Sequence, residues 1–143
     1  MFGECHAHIF LNGRNYKEAV ALHKNHVSEE ARIKGIGVVL DKIAQFGSLP
    51  AMIMGDFNVE EDTETYRSAT ENFLDVKYQT KDPIKSCTYQ NWGKRLDDDC
   101  IDYIMISKTG FKVNSYNVVR TTYDGVYPSD HFPITASLTL TQG

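Results

Sequence analysis

The sequence predicts an α/β domain: a mixed β-sheet with its helices on one face. Three observations carry that expectation. Asn12-Gly13, the strongest short signal for a hairpin, divides two strand-like runs in AHIFLNGRNYKEAVALH. A helical pattern begins at about Ser28. Apolar runs at 51–54, 100–107 and 134–140 have strand length rather than helix length. Hairpins mixed with one long helix and one short one favour layers of helix on sheet.

In chain order, the hairpin comes first and the helix second. Ser28 is a good N-cap, because its side-chain oxygen can accept from a first-turn amide. Glu29 and Glu30 suit the positive end of the helix dipole. Ile33, Ile36, Leu40 and Ile43 form one apolar stripe. Gly35 and Gly37 each weaken the helix by about 1 kcal/mol relative to Ala, so close packing against a neighbour is the expected reason for them. FGSLP ends the helix and residues 51–54 form the next strand. Thr63 to Glu71 reads as a short surface helix, CTYQNW as a strand and GKRLDDD as a polar loop. CIDYIMIS is apolar enough for an interior strand, and FKVNSYNVVRTTY is a further one. FPITASLTL closes the chain with alternation at Ile134, Ala136, Leu138 and Leu140.

At 143 residues the chain is one domain's worth, residues 1–143, with no internal repeat. Its 41% hydrophobic and 24% charged content is that of ordinary globular chains. No apolar stretch reaches the roughly 20 residues of a membrane span. A net charge of -4 counts against a protein that holds nucleic acid mainly through a basic surface. It does not count against an enzyme that meets phosphates through a metal ion, because the ion brings its own positive charge. Cys5, Cys87 and Cys100 show no paired spacing, which argues against a zinc site and a disulfide framework. Reduced thiols are the default, with a Cys87–Cys100 bridge left open.

Four segments interrupt the apolar pattern with reactive groups at strand ends. They are VALHKNH with His23, Asn25 and His26; MGDFN with Asp56 and Asn58; CIDYI with Asp102; and YPSDHFP with Asp130 and His131. Each has a bland alternative, since Gly-Asp suits a turn and a strand-end histidine is more often structural. Asp102 is harder to dismiss, because an unpaired buried carboxylate costs several kcal/mol. It needs a partner, and His131 is the obvious one. Carboxylates, a carboxamide and histidines together are the inventory for a hard metal ion and proton transfer near a phosphate.

GDFN, IDYI and SDHFP, in this order, resemble the C-terminal half of the endonuclease/exonuclease/phosphatase superfamily. That group includes deoxyribonuclease-like, abasic-endonuclease-like, sphingomyelinase-like and inositol-phosphatase-like enzymes. HVSEEAR, before GDFN, is similar too, and the likeness runs from about residue 5 to residue 140. The resemblance implies hydrolysis of a phosphodiester or phosphomonoester by water, with Mg²⁺ or Mn²⁺. By the same resemblance, Asp56 and Asn58 would bind phosphate, water or metal. His131 would act on the attacking water or bind metal, with its ring held by Asp102. Asp130 would be a metal ligand, and His23 would contact the phosphate or assist the leaving group. Asn25, His26, Thr88, Tyr89 and Tyr103 fall where substrate-contacting or supporting residues stand.

Two departures from the family pattern shape the expectation. Asn25 stands where many bacterial members have Asp, which lowers the local negative charge. Family domains also carry an N-terminal half with an early Asn and a metal-binding Glu, and nothing before residue 20 supplies these; Glu4 is a poor substitute. The chain is therefore expected to be half of the family's four-layer α/β/β/α sandwich, with an uncovered inner sheet face that includes AMIMG and CIDYIMI. Self-association, or pairing with a chain that carries the other half, would cover such a face. The alternative to an enzyme is a catalytically incomplete half-domain that binds phosphate or a partner. The start, MFGECHAHIFLNG, lacks the marks of a signal peptide. Cytoplasmic location is the default, with secretion left open.

Overall fold

Ser28 begins the first helix as its residue type requires, accepting the Ala31 amide on its hydroxyl at 3.3 Å. The computed structural model of the chain describes residues 5–11, 14–22, 28–84, 87–95 and 100–141; for 5–22 it gives the course of the backbone. The strands are β1 (Cys5–Leu11), β2 (Arg14–Leu22), β3 (Ala51–Asp56), β4 (Phe73–Asp75), β5 (Asp102–Ser107), β6 (Phe111–Val118) and β7 (Ile134–Leu140). The helices are α1 (Glu29–Ala44) and α2 (Glu64–Thr70), with a 3-10 turn at Val76–Gln79.

Five strands form one sheet in the order β2-β1-β3-β5-β4, and β6 and β7 form a second. The α/β layering is as expected, but every named pairing is antiparallel, so the sheet is not mixed. The reason is local: among the described residues, no helix joins adjacent strands as a parallel crossover requires.

Alternation along β3 and β5 divides the core into two layers. Ala51, Ile53, Tyr103 and Met105 face the helices and pack with Ile36, Val39 and Ile43 of α1 and Tyr66 and Ala69 of α2. Ile104 and Ile106 face the other way, with Met52 and Met54, onto Tyr116, Val113, Ile134, Ala136 and Leu138 of β6 and β7. The inner face expected to lie open is thus covered, at Ile104 and Ile106, by the β6–β7 ribbon. Both isoleucines are nearly inaccessible.

The α1 stripe is Gly35, Ile36, Val39 and Ile43, with Leu40 partly buried. Ile33 is only half-buried. A Cβ built on Gly37 would meet nothing within 4 Å, so close packing does not explain that glycine. The Glu29 carboxylate accepts the Glu64 and Thr65 amides at 2.6 and 3.2 Å, so the first turn of α1 caps α2.

Two segments differ from the sequence expectation. CTYQNW is not a strand: Tyr89 makes a single bridge, with His131. FLD, unassigned from sequence, is β4. It is fixed where the buried Asp75 carboxylate accepts the Tyr66 hydroxyl at 3.0 Å and the Lys77 amide at 2.9 Å. Cys87 and Cys100 are both buried and no disulfide joins them, which closes the question of a bridge between them. Burial pushes the Cys100 thiol up to about 11, so it stays protonated and unreactive at neutral pH.

Candidate active site

Asp56 ends β3 and Asp102 begins β5, and the register sets them directly opposite each other. Both follow the parity of the inner face: Met52, Met54 and Asp56 on one strand, Ile106, Ile104 and Asp102 on the other. Two carboxylates thereby stand side by side where an apolar face meets its end. Opposed like charges are unfavourable across a ladder, so such a pair requires neutralisation by a proton or a cation.

Asp56 is held from the residues that follow it. The Asn58 amide donates to Oδ1 and its Nδ2 to Oδ2, each at 2.8 Å. Asn58 adopts φ 51 to close this short turn, a left-handed conformation that Asn tolerates better than most residues. The turn is the bland reading of Gly-Asp-Phe-Asn, and here it orients the Asp56 carboxylate.

Asp102 carries the second contact. Its Oδ2 lies 2.8 Å from His131 Nδ1. That hydrogen bond holds the imidazole above its ordinary pKa, against the lowering effect of burial, and the charges of Asp102, Asp56 and Asp130 act in the same direction. Burial, followed by the Asp102 charge, pushes Asp56 up to about 6, while hydrogen bonds from Asn58 and the His131 charge oppose the rise. One ligand atom from each of Asp56, Asp102 and His131 lies within 4.8 Å of the other two. Two carboxylates and an imidazole at this spacing could hold Mg²⁺ or Mn²⁺, and the unfavourable carboxylate pair gives a cation something to relieve.

The loop that carries His131 is fastened by residues 88–90. Phe132 N donates to Thr88 O at 2.6 Å, and the Gln90 and Asn91 amides donate to Asp130 O at 2.8 and 3.0 Å. The buried Gln90 side chain accepts the Gly93 amide and donates to Ser129 O. The Tyr89 ring stands against the His131 ring with centroids 5.1 Å apart.

The sequence-derived residues divide accordingly. Asp56, Asn58, Asp102 and His131 come together, and Tyr89 borders them. Asp130 is adjacent, with Ser129 Oγ 3.5 Å from its Oδ1, but its carboxylate is outside the three-residue cluster. Asp102 is inside that cluster, although the sequence suggested only an orienting role for it. Two substrate contacts need correction. Tyr103 points to the helix side, buried between Phe57 and Tyr66, with its hydroxyl 2.8 Å from Val59 O. Thr88 is completely buried, and its hydroxyl serves the backbone instead. His23, Asn25 and His26 lie outside the described residues. Gln90 was missed, because an amide within a turn-rich segment carries no pattern that marks it as buried.

Known proteins resemble this chain in sequence and fold. The sequence profile described as Endonuclease/Exonuclease/phosphatase family matches residues 9–131. Human nocturnin is 27% identical over 118 residues, 72% of this chain and 27% of nocturnin. A conserved protein of unknown function from Enterococcus faecalis superposes with a TM-score of 0.71 at 27% identity, covering 90% of this chain and 54% of that one. A mannosyl-6-phosphatase from Bacteroides thetaiotaomicron does so with 0.66 at 26% identity, covering 82% and 49%. The chain thus spans about half the length of these solved structures and about a quarter of nocturnin. With the profile matched over most of its length and Asp56, Asn58, Asp102 and His131 converging at one end of the sheet, the chain belongs to the endonuclease/exonuclease/phosphatase family.

Proposed function

We propose that the chain is a metal-dependent phosphoesterase domain that hydrolyses a phosphodiester or phosphomonoester by attack of water. The observation that carries this reading is the Asp102–His131 contact of 2.8 Å beside the carboxylate of Asp56. With Nδ1 turned to Asp102, Nε2 is the ring nitrogen that takes the proton of the attacking water. Asp102 fixes the tautomer and stabilises the imidazolium that results. Asn58 keeps both Asp56 oxygens in place. Asp56 and Asp102, with Asn58 and Asp130 nearby, would hold the cation, which supplies Lewis-acid polarisation of the phosphoryl oxygen when bound.

The similarity to a mannosyl-6-phosphatase supports a sugar-linked phosphomonoester as the first substrate class to try. The net charge of -4 disfavours long duplex nucleic acid.

The test is release of nitrophenol from an aryl phosphomonoester and an aryl phosphodiester with Mg²⁺ or Mn²⁺. Wild type is compared with His131→Ala and Asp56→Ala. Metal-dependent turnover lost in both variants is expected. Saturable metal binding with no turnover above the variants would contradict the enzyme reading and support a phosphate-binding or interaction module.

A further inference from the structure

The Asp102–His131 pair is assembled from two segments far apart in sequence, the start of β5 and the loop before β7. One residue touches the backbone of both. The Thr88 hydroxyl oxygen accepts the Ile101 amide at 3.0 Å and the Asp102 amide at 3.1 Å. The Thr88 carbonyl accepts the amide of Phe132, the residue after His131, at 2.6 Å. The next residue, Tyr89, forms the isolated bridge with His131. Thr88 is 0% exposed, so no water competes for these bonds.

The chemistry of the side chain fits the position. A hydroxyl oxygen has two lone pairs and can accept both amides. Its own proton remains for a further contact, and Thr88 hydrogen-bonds Cys100. A carboxylate here would add a third negative charge beside Asp56 and Asp102. An aliphatic residue would leave two amide donors buried without an acceptor. On its other side the same strand end is tied to the end of β3, where Phe57 N donates to Ile101 O at 2.9 Å, so Thr88 is what links it to the His131 loop.

We propose that Thr88 is a positioning residue: its hydroxyl and carbonyl together set the separation of Asp102 and His131. The proposal rests on the catalytic reading of that pair but is tested apart from it. Thr88 makes no contact with substrate in this account and acts only through Asp102 and His131.

The experiment compares wild type with Thr88→Val, which keeps the branched shape and removes the acceptor, and with Thr88→Ser, which keeps the hydroxyl. The primary readout is the downfield proton resonance of the His131 ring N–H held by Asp102, in metal-free protein, identified by its loss in His131→Ala. Thr65→Val, a buried threonine change in α2, serves as control. The expected result is a resonance retained in Thr88→Ser and Thr65→Val, and lost to solvent exchange in Thr88→Val. In the metal-loaded enzyme, kcat of Thr88→Val should fall about 10-fold, with KM within about twofold of wild type. Retention of the resonance in Thr88→Val, or its loss in Thr88→Ser as well, would overturn the proposal. If Thr88→Val does not fold, Thr88→Ala carries the same comparison. Wild type that shows the resonance but hydrolyses no phosphoester would overturn the catalytic reading and leave the positioning result standing.

Discussion

Single atoms decide the character of this site and of the core beside it. Asp56 is raised to about 6 because it is buried next to Asp102. An acid with a raised folded-state pKa favours the fold when protonated. Its contribution is complete below its ordinary value of 3.8 and is lost as pH rises through about 6. In metal-free protein, the stability of wild type relative to Asp56→Asn should therefore fall by about 2 kcal/mol between roughly pH 4 and pH 7, allowing for solvent screening. Urea denaturation at the two pH values measures this; a pH-independent difference would refute the assignment. The Thr65 hydroxyl presents the opposite case. Among the described residues, it is a fully buried side-chain oxygen with no hydrogen-bond partner. Thr65→Val should raise stability by about 1 kcal/mol in urea denaturation, because a methyl group removes the desolvation cost at nearly the same shape.

Secondary elements follow rules that were readable in the sequence where those rules are local. Ser28 and Thr63 begin helices because each has a side-chain oxygen for an amide of the first turn. Asp56 ends a strand as its segment suggested, whereas Asp102 begins β5 rather than interrupting a strand that starts at Cys100. Parity also implied that Tyr103 points away from the site, since it adjoins Asp102 on a strand; assigning it to substrate overlooked that period of two. What could not be read depends on distant contacts. β4 is held by its pairing with β5, some 30 positions away, and by the Tyr66 hydroxyl on Asp75. Residues 88–90 take their form from Asp130 and Phe132, some 40 positions away. Gly37 gives the prediction at this scale. With open space where a Cβ would stand, Gly37→Ala should stabilise the protein by about 1 kcal/mol, seen as a raised denaturation midpoint. An unchanged or lower midpoint would mean that α1 needs the glycine.

At the scale of the whole molecule, helices, a five-stranded sheet and a two-stranded ribbon form three layers, with the carboxylates at one end of the middle one. The ribbon covers Ile104 and Ile106, but its own apolar row of Val113, Ile134, Ala136 and Leu138 is only partly buried, and Leu140 is largely exposed. β6 and β7 are bonded only to each other among the described residues, so both outer edges of the ribbon carry open backbone groups. A second copy of the chain, added edge to edge along β7, would extend the ribbon and pair its open backbone groups. Sedimentation velocity should show concentration-dependent dimerisation, weakened by Leu140→Lys. A monomer throughout the micromolar range would contradict it.

In the proposed function, Asp56, Asp102 and His131 form one cation-dependent phosphoesterase centre. Titration with Mn²⁺, followed by the loss of the free-ion electron paramagnetic resonance signal, tests its foundation most directly. Saturable binding to wild type is expected, weakened at least about 10-fold in both Asp56→Ala and Asp102→Ala. Binding of equal strength in wild type and both folded variants would place the cation elsewhere and rule out a centre built on these carboxylates.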